Sequence, residues 1–434
     1  SLFDFENRDK LFAIDSRYKF CLLTASRSSQ KSRTVSGGFY LTRIDHLLDP
    51  NRIYKLQTDD FIRLNPNTKT CPIFRTSKDA EITRSLYQRA PILYNEETGE
   101  NPWGIKLSTL FNMATHSYLF RTQEQLKELG AARDGNNFTL NGETFVPLYE
   151  GKLFWHYNHH YGSFPDSGQR PSSIPTTELS ELKDPSSNLR AWYWIALSNV
   201  EDRLVDKDKN DNVRWEWTHS YFITFRDVTN ATNERTCVAS LMPSACGAGH
   251  KAPLVFTSRS LIPSCSLLAI LSSLTFDYIA RQKVGGSSMA FFMLKQLPVL
   301  APEQIPEAMQ WEIAKRVAQL CYFNHDLDGW AEEMWDEMNE AQRAELPQLG
   351  CKQPFIYDPD RRAVLQAELD AIIAHLYGLT TDELRYILDP EDICGPGCIN
   401  ETFRVLKDNE TRQYGEYRTK RLVLAAWHKF HYHN

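Results

Sequence analysis

The chain has 434 residues, 42% of them hydrophobic and 12% aromatic, with a formal net charge of −6. That length supports two or three domains with their own cores, and the composition is that of a folded protein and not a disordered one. No apolar run reaches the ~18–20 residues of a membrane helix. Nine cysteines without regular spacing argue against a disulfide framework and for a reducing cytoplasm. The first residue is Ser, with no signal-like segment, which suggests a fragment or a processed chain. Charge is uneven: residues 1–90 carry a balance of +6 and residues 251–300 one of +4, whereas 301–350 carry −8. Two basic segments beside an acidic one suit a protein with one face turned to a polyanion.

Residues 11–24 alternate as a strand in which Tyr18, Phe20 and Leu22 share a face, and 26–38 reads as a basic, Gly/Ser-rich loop. Thr58-Asp59-Asp60 is a helix start. Residues 78–89 carry Ile82 and Leu86 at helical spacing, with Pro91 as the stop. A short helix is expected at 122–130. Asn136-Asn137 and Asn141-Gly142 around Phe138-Thr139-Leu140 signal a hairpin.

The hairpin leads into 144–164, TFVPLYEGKLFWHYNHHYGSF, the stretch richest in chemistry. Gly151 there marks a close backbone approach. Lys152, Trp155, His156, Asn158 and His159 alternate donors with flat rings, as contacts to phosphates and base edges require. The same residues would also serve a hairpin edge whose histidines hydrogen-bond within the fold. No Cys or acid lies nearby at a ligand-like spacing, which disfavours zinc. Cys394 and Cys398 form a lone CxxxC, a weak metal signal.

Residues 191–197 read as a buried strand, and 221–228 and 236–241 as further strands. Residues 266–283 read as one helix stopped by Gly285-Gly286. The loop at 281–288 then offers Arg281, Lys283 and glycine backbone N–H groups to a phosphate, with Lys295 beyond it. Beyond Pro302 the chain is helical, at 307–323, 360–377, from Thr381, and at 417–430.

The blocks FDFENRDKLFAIDSRYKFCLLT, NPNTKTCPIFRTSKDAEITRSLY and PLYEGKLFWHYNHHYGSF, with FFMLKQLPV and AELDAIIAHLYGLTTDELRYILDP later on, resemble the C-terminal half of gamma-class adenine-N6 DNA methyltransferases. The nearest subset is that of the large type IIG-like restriction–modification enzymes and of the DISARM and BREX phage-defence systems. The resemblance implies an α+β chain in three parts: the edge of a Rossmann-like methyltransferase domain (1–90), a β-rich, TaqI-like target-recognition domain (91–300) closed by a strand at 291–299, and a helical C-terminal region (301–434) bracing it. It implies double-stranded DNA as partner, S-adenosylmethionine as cofactor of the complete enzyme, an N-terminal catalytic domain outside this chain, possible further defence-system subunits, and Phe12 beside the flipped base. Family members often carry an acid and an Arg where this chain has Asn158 and His160, so base preference does not transfer. The Asn-Pro-Pro-aromatic motif that holds a flipped adenine, and a Gly-rich cofactor loop, are absent from these residues. The chain alone is therefore expected neither to bind S-adenosylmethionine nor to methylate, and no catalytic or metal-ligating residue is assigned. Two rival readings are a stand-alone DNA-specificity or adaptor subunit and a metal-dependent enzyme built on His156, His159 and His160.

Overall fold

The computed structural model describes all residues except 26–33, 167, 400–401 and 432–434. The expected loop at 26–38 lies partly outside these. Its last five residues belong instead to the strand Thr34–Leu41. A Cβ at Gly38 in that strand would sit 2.7 Å from the end of the Ile53 side chain, which would have to shift.

Four strands form the N-terminal sheet. Leu2–Glu6 lies between Lys19–Leu23, antiparallel, and Thr34–Leu41, parallel, with Tyr54–Gln57 outside. Helix Ser77–Arg89 begins on a reciprocal cap, the Asp79 N–H donating to Thr76 Oγ1 and the Thr76 N–H to Asp79 Oδ2, both at 3.0 Å. Ile82 and Leu86 are buried, as their spacing predicts.

The chain enters and leaves the middle region side by side: the Leu93 N–H donates to Leu297 O at 2.9 Å and the Val299 N–H to Pro91 O at 2.8 Å. Besides a two-stranded sheet, Val205–Lys207 with Val213–Glu216, the described residues of the middle region form two larger sheets. In one, Ala239–Pro243, Tyr221–Phe225, Leu254–Phe256 and Lys106–Ser108 pair antiparallel in that order. In the other, Glu143–Tyr149 is central, paired antiparallel with Asn137–Leu140 and Trp194–Ala196 and parallel with Gly247–Ala248. The hairpin turn forms at Asn141 and Gly142, with φ of 52° and 83°, a left-handed pair that these residue types tolerate. The buried strand expected at 191–197 is only Trp194–Ala196, because Leu197–Glu201 turns helical.

Two expectations near the end of this region need correction. The helix at 266–283 is two helices, Leu261–Ser272 and Leu274–Lys283, bent by 56°. Ser273 is extended at the break and its Oγ accepts from the Phe276 N–H, while Asp370 from a distant helix accepts the Leu274 N–H at 2.6 Å. A tertiary acceptor and a capping hydroxyl thus take over the N–H groups that a continuous helix would use itself. The expected strand at 291–299 is a short helix, Phe291–Lys295, followed by one isolated bridge between Ile92 and Pro298. Proline lacks the N–H that would extend such a ladder.

Helices Glu307–Cys321, Asp328–Glu337, Pro359–Leu376, Thr381–Leu388, Arg404–Tyr414 and Arg418–His431 make up most of the remainder. Pro359–Leu376 packs along Arg418–His431. The fold is α+β, with several small sheets and a helical C-terminal region. A buried cluster runs from Phe39 to Trp427. Among the described residues no single helix is long and apolar enough to cross a membrane.

Candidate nucleic-acid interface

After strand Glu143–Tyr149, the chain turns tightly at 155–158: the Trp155 N–H donates to Asn158 O at 2.8 Å and the Asn158 N–H returns to Trp155 O at 3.0 Å. Tyr157 takes φ of 55° to close the turn. Its backbone then meets both neighbouring layers, since the Tyr157 N–H donates to Ala239 O and Arg362 Nη2 donates to Tyr157 O at 3.1 Å. The turn therefore plugs the seam between the middle sheets and the C-terminal helices.

This reverses much of the predicted reading surface. His156, Asn158 and His159 are 6%, 4% and 1% exposed, so in this conformation no base edge can reach them. Asn158 Oδ1 accepts from the His160 N–H at 2.8 Å and its Nδ2 donates to Tyr357 Oη at 3.2 Å. Burial pushes the His156 and His159 imidazoles well below the usual histidine range and holds both rings neutral; nearby arginines add to the effect at His156. The three-histidine metal cluster does not assemble either. His159 and His160 share their neighbourhood with Asp326, not with His156.

Arg281 is likewise internal. Its side chain is 7% exposed, pairs with Asp277 Oδ1 at 2.9 Å, and donates to Ala231 O, Glu234 O and Thr402 O. In this structure the guanidinium is therefore turned away from solvent and held by partners within the fold. Lys283 Nζ donates to Leu64 O at 2.9 Å and Asn65 Oδ1 at 2.5 Å. Lys295 pairs with Glu96 at 2.6 Å. Gly285 and Gly286 remain exposed, and neither has a positive φ; a Cβ on either would meet nothing within 4 Å. The helix does end just before them, with Val284 as its C-cap, although neither glycine takes a left-handed conformation there. Phe12 is 53% exposed, resting edge-on against Phe20 with centroids 4.9 Å apart.

Lys283 has a consequence for pH. Desolvation pushes its ammonium down to about 7. Between there and the ordinary lysine value of about 10.4, the unfolded chain holds a proton that the folded chain lacks, so stability rises with pH across that window. Below pH 7 both states are protonated and the folded chain bears the full cost of the buried charge. The gain in melting temperature from pH 7 to 9.5 should shrink in Lys283→Met relative to the wild type. Equal gains in the two proteins would show that this amine is solvated.

What the structure does assemble is a cleft of about 230 Å³ whose lining includes Met113, Gly151, Lys152, Arg226, Val228 and Lys251. The close approach expected at Gly151 is real: a Cβ there would lie 2.9 Å from Lys251 O. Trp155 stacks on Tyr161 with centroids 5.2 Å apart, and the Arg226 guanidinium lies 4.6 Å from the Trp155 ring. Arg226 also donates to Phe154 O. Its Nε is buried without a partner, and no carboxylate among the described residues pairs with it. Burial pushes this guanidinium down to about 10. Glu150 pairs with Arg170 through Oε2, while its Oε1 is buried and unpartnered. Lys152 donates to Ser172 O, and Lys251 pairs with Asp227 at 2.5 Å. Asp227 also accepts from Ser288 Oγ, and the Thr229 N–H donates to Ser287 O at 3.1 Å, which sets the Gly285-Gly286 loop beside the cleft.

Of the predicted residues, Lys152, Trp155, Gly285 and Gly286 thus gather on one side, whereas His156, Asn158, His159, Arg281 and Lys283 turn inward. Sequence reasoning missed Arg226, Glu150 and Arg170. A charged pair, Arg226-Asp227, directly after the apolar strand Tyr221–Phe225 was the available signal.

No protein family matches the chain, and no curated protein does. Among solved structures, the chain is similar to the type IIG restriction endonuclease BpuSI at 11% identity, over 87% of this chain and 44% of that one, with a TM-score of 0.31. The chain thus spans less than half of that structure's length, and a superposition at this score does not establish a common fold.

Proposed function

We propose that this chain is the DNA-target-recognition part of a site-specific adenine-N6 DNA methyltransferase of a restriction–modification or phage-defence system. The observation that carries the reading is the cleft at Arg226: an arginine without a counter-ion, a flat Trp155–Tyr161 stack, and flanking lysines. A buried guanidinium without an acid is costly and calls for an anion or acceptor from outside. The Trp155–Tyr161 stack and the Arg226 guanidinium beside it offer a flat surface and a cation at the cleft, as contacts to bases and backbone require. Lys152, Lys251 and the Gly285–Gly286 backbone fix register on phosphates. The sequence resemblance supplies the reaction: methylation by a catalytic domain that binds S-adenosylmethionine and lies outside this chain. The exposed Phe12, Ile14, Tyr18, Leu22 and Leu23 on the N-terminal hairpin support a protein surface covering that edge.

Duplex binding measured over a salt series tests this reading, with the chain alone and in the complete enzyme. Removing one lysine–phosphate interaction should flatten the slope of log K against log salt by roughly 0.9. Lys152→Ala with Lys251→Ala should therefore weaken binding to every sequence and reduce the slope by about 1.8. An unchanged slope, or no duplex binding at low salt, would refute the assignment.

A further inference from the structure

Beneath the tight turn at 155–158 lies a polar cluster that DNA recognition does not use. The ligating atoms of His159, His160 and Asp326 lie within 4.8 Å of one another. His160 Nε2 is 2.8 Å from Asp326 Oδ2, and the two histidine ring centroids are 4.6 Å apart. His159 is 1% exposed, and both its ring nitrogens are buried without a hydrogen-bond partner. Leaving such a group unsatisfied is costly, so native cores rarely leave it without a partner. The Tyr149 hydroxyl is also buried and unpartnered, and it lies within the electrostatic reach of Asp326.

We propose that His159, His160 and Asp326 hold a divalent transition-metal ion, zinc by ligand chemistry, which ties the central β-rich region to the C-terminal helices. Two imidazoles and one carboxylate form a donor set that zinc accepts, with water completing a tetrahedron. Ligand atoms around tetrahedral zinc are about 3.3 Å apart, a consequence of bond lengths near 2.0–2.2 Å. The separation of 2.8 Å between His160 and Asp326, within a group spanning at most 4.8 Å, lies on both sides of that value. Asp326 is oriented from behind: Asn136 Nδ2 donates to both its oxygens at 2.7 Å, and Asn136 Oδ1 in turn accepts from the Leu189 N–H at 2.6 Å. An outer partner of this kind aims a carboxylate at a metal. The Asp326 side chain is 20% exposed, which gives the ion a way in and water a place at the fourth position. The metal site stands independently of the DNA-binding reading.

The test uses protein purified without a nickel column, treated with chelator, and titrated with zinc chloride or cobalt(II) chloride. The expected result is one equivalent bound, the ligand-field absorption of tetrahedral cobalt, and a melting temperature that rises with zinc. His159→Phe keeps a ring against Phe323, whose centroid is 4.8 Å from that of His159. That variant should stay folded by circular dichroism yet bind zinc more than about 100-fold more weakly, since even outer-partner losses cost 10–100-fold. Asn136→Ala should cost about 10–100-fold. Replacing both Cys394 and Cys398 with serine should change nothing, which separates this site from thiol binding. A folded wild type that takes up no stoichiometric zinc, a cobalt complex without tetrahedral bands, or equal affinity in folded His159→Phe would each overturn the proposal and leave a hydrogen-bonded His160–Asp326 pair.

Discussion

Replacing Asp277 with alanine is expected to destabilise the protein by about 3–5 kcal/mol, the usual cost of removing one partner from a buried ion pair. Asp277 has no exposed surface and pairs with Arg235 and Arg281, each at 2.9 Å. It also accepts the Thr236 N–H at 2.9 Å. Alanine would leave two guanidiniums and one amide without their acceptor inside the fold. Denaturant melts followed by circular dichroism and tryptophan fluorescence provide the measurement. A loss below about 1 kcal/mol, the range of an exposed pair, would show that water already reaches the network. Arg281→Ala should also lower stability, through the carbonyls of Ala231, Glu234 and Thr402 that it ties together. In folded Arg281→Ala protein the salt dependence of DNA binding should be unchanged, which separates a structural arginine from the phosphate contact that its loop position suggested.

Arg362→Met should destabilise by about 2–5 kcal/mol and weaken DNA binding at every sequence. Arg362 is 5% exposed and no carboxylate among the described residues pairs with it. It donates to Leu320 O and Tyr157 O, and its guanidinium sits 4.2 Å from the Tyr357 ring. Methionine keeps the apolar stem but leaves two buried carbonyls unsatisfied, at about 1–3 kcal/mol each. Because Tyr157 is the left-handed residue of the turn, loosening its carbonyl should shift Trp155 and, through the stack, Arg226. Arg362→Lys should recover only part of the loss, since an ammonium cannot span both carbonyls as a planar fork does. Thermal melting run beside duplex binding checks both effects. If Arg362→Met melts with the wild type, apolar packing alone holds the seam and the helical region is not a brace for the turn.

Local chemistry was readable where it acts locally. The capped helix Ser77–Arg89 and the Asn141–Gly142 hairpin turn follow from side-chain sterics and short-range hydrogen bonds. The split at Ser273 was not readable, because its cause includes Asp370, 96 residues along the chain from the Leu274 N–H that it accepts. The strand at 291–299 was implied by the family resemblance, and the local pattern could not correct it, because periodicity over so few residues does not separate a strand from the helix Phe291–Lys295.

Residue order alone was enough for an α+β chain with a basic opening segment, an acidic helical segment, and one stretch dense in aromatic and hydrogen-bonding side chains. It fixed the residue types at 152–160, and so the range of chemistry open to that stretch. Which of those side chains meet solvent depends on long-range packing. A turn with Tyr157 left-handed sends His156, Asn158, His159 and His160 into the seam and keeps Lys152 and Trp155 at its edge. Asp326, 166 residues beyond His160, becomes its hydrogen-bond partner only because the helices fold back over that turn. Composition carries charge and donor count, but burial governs their use, because the cost of removing a polar group from water depends on neighbours that only the folded chain supplies.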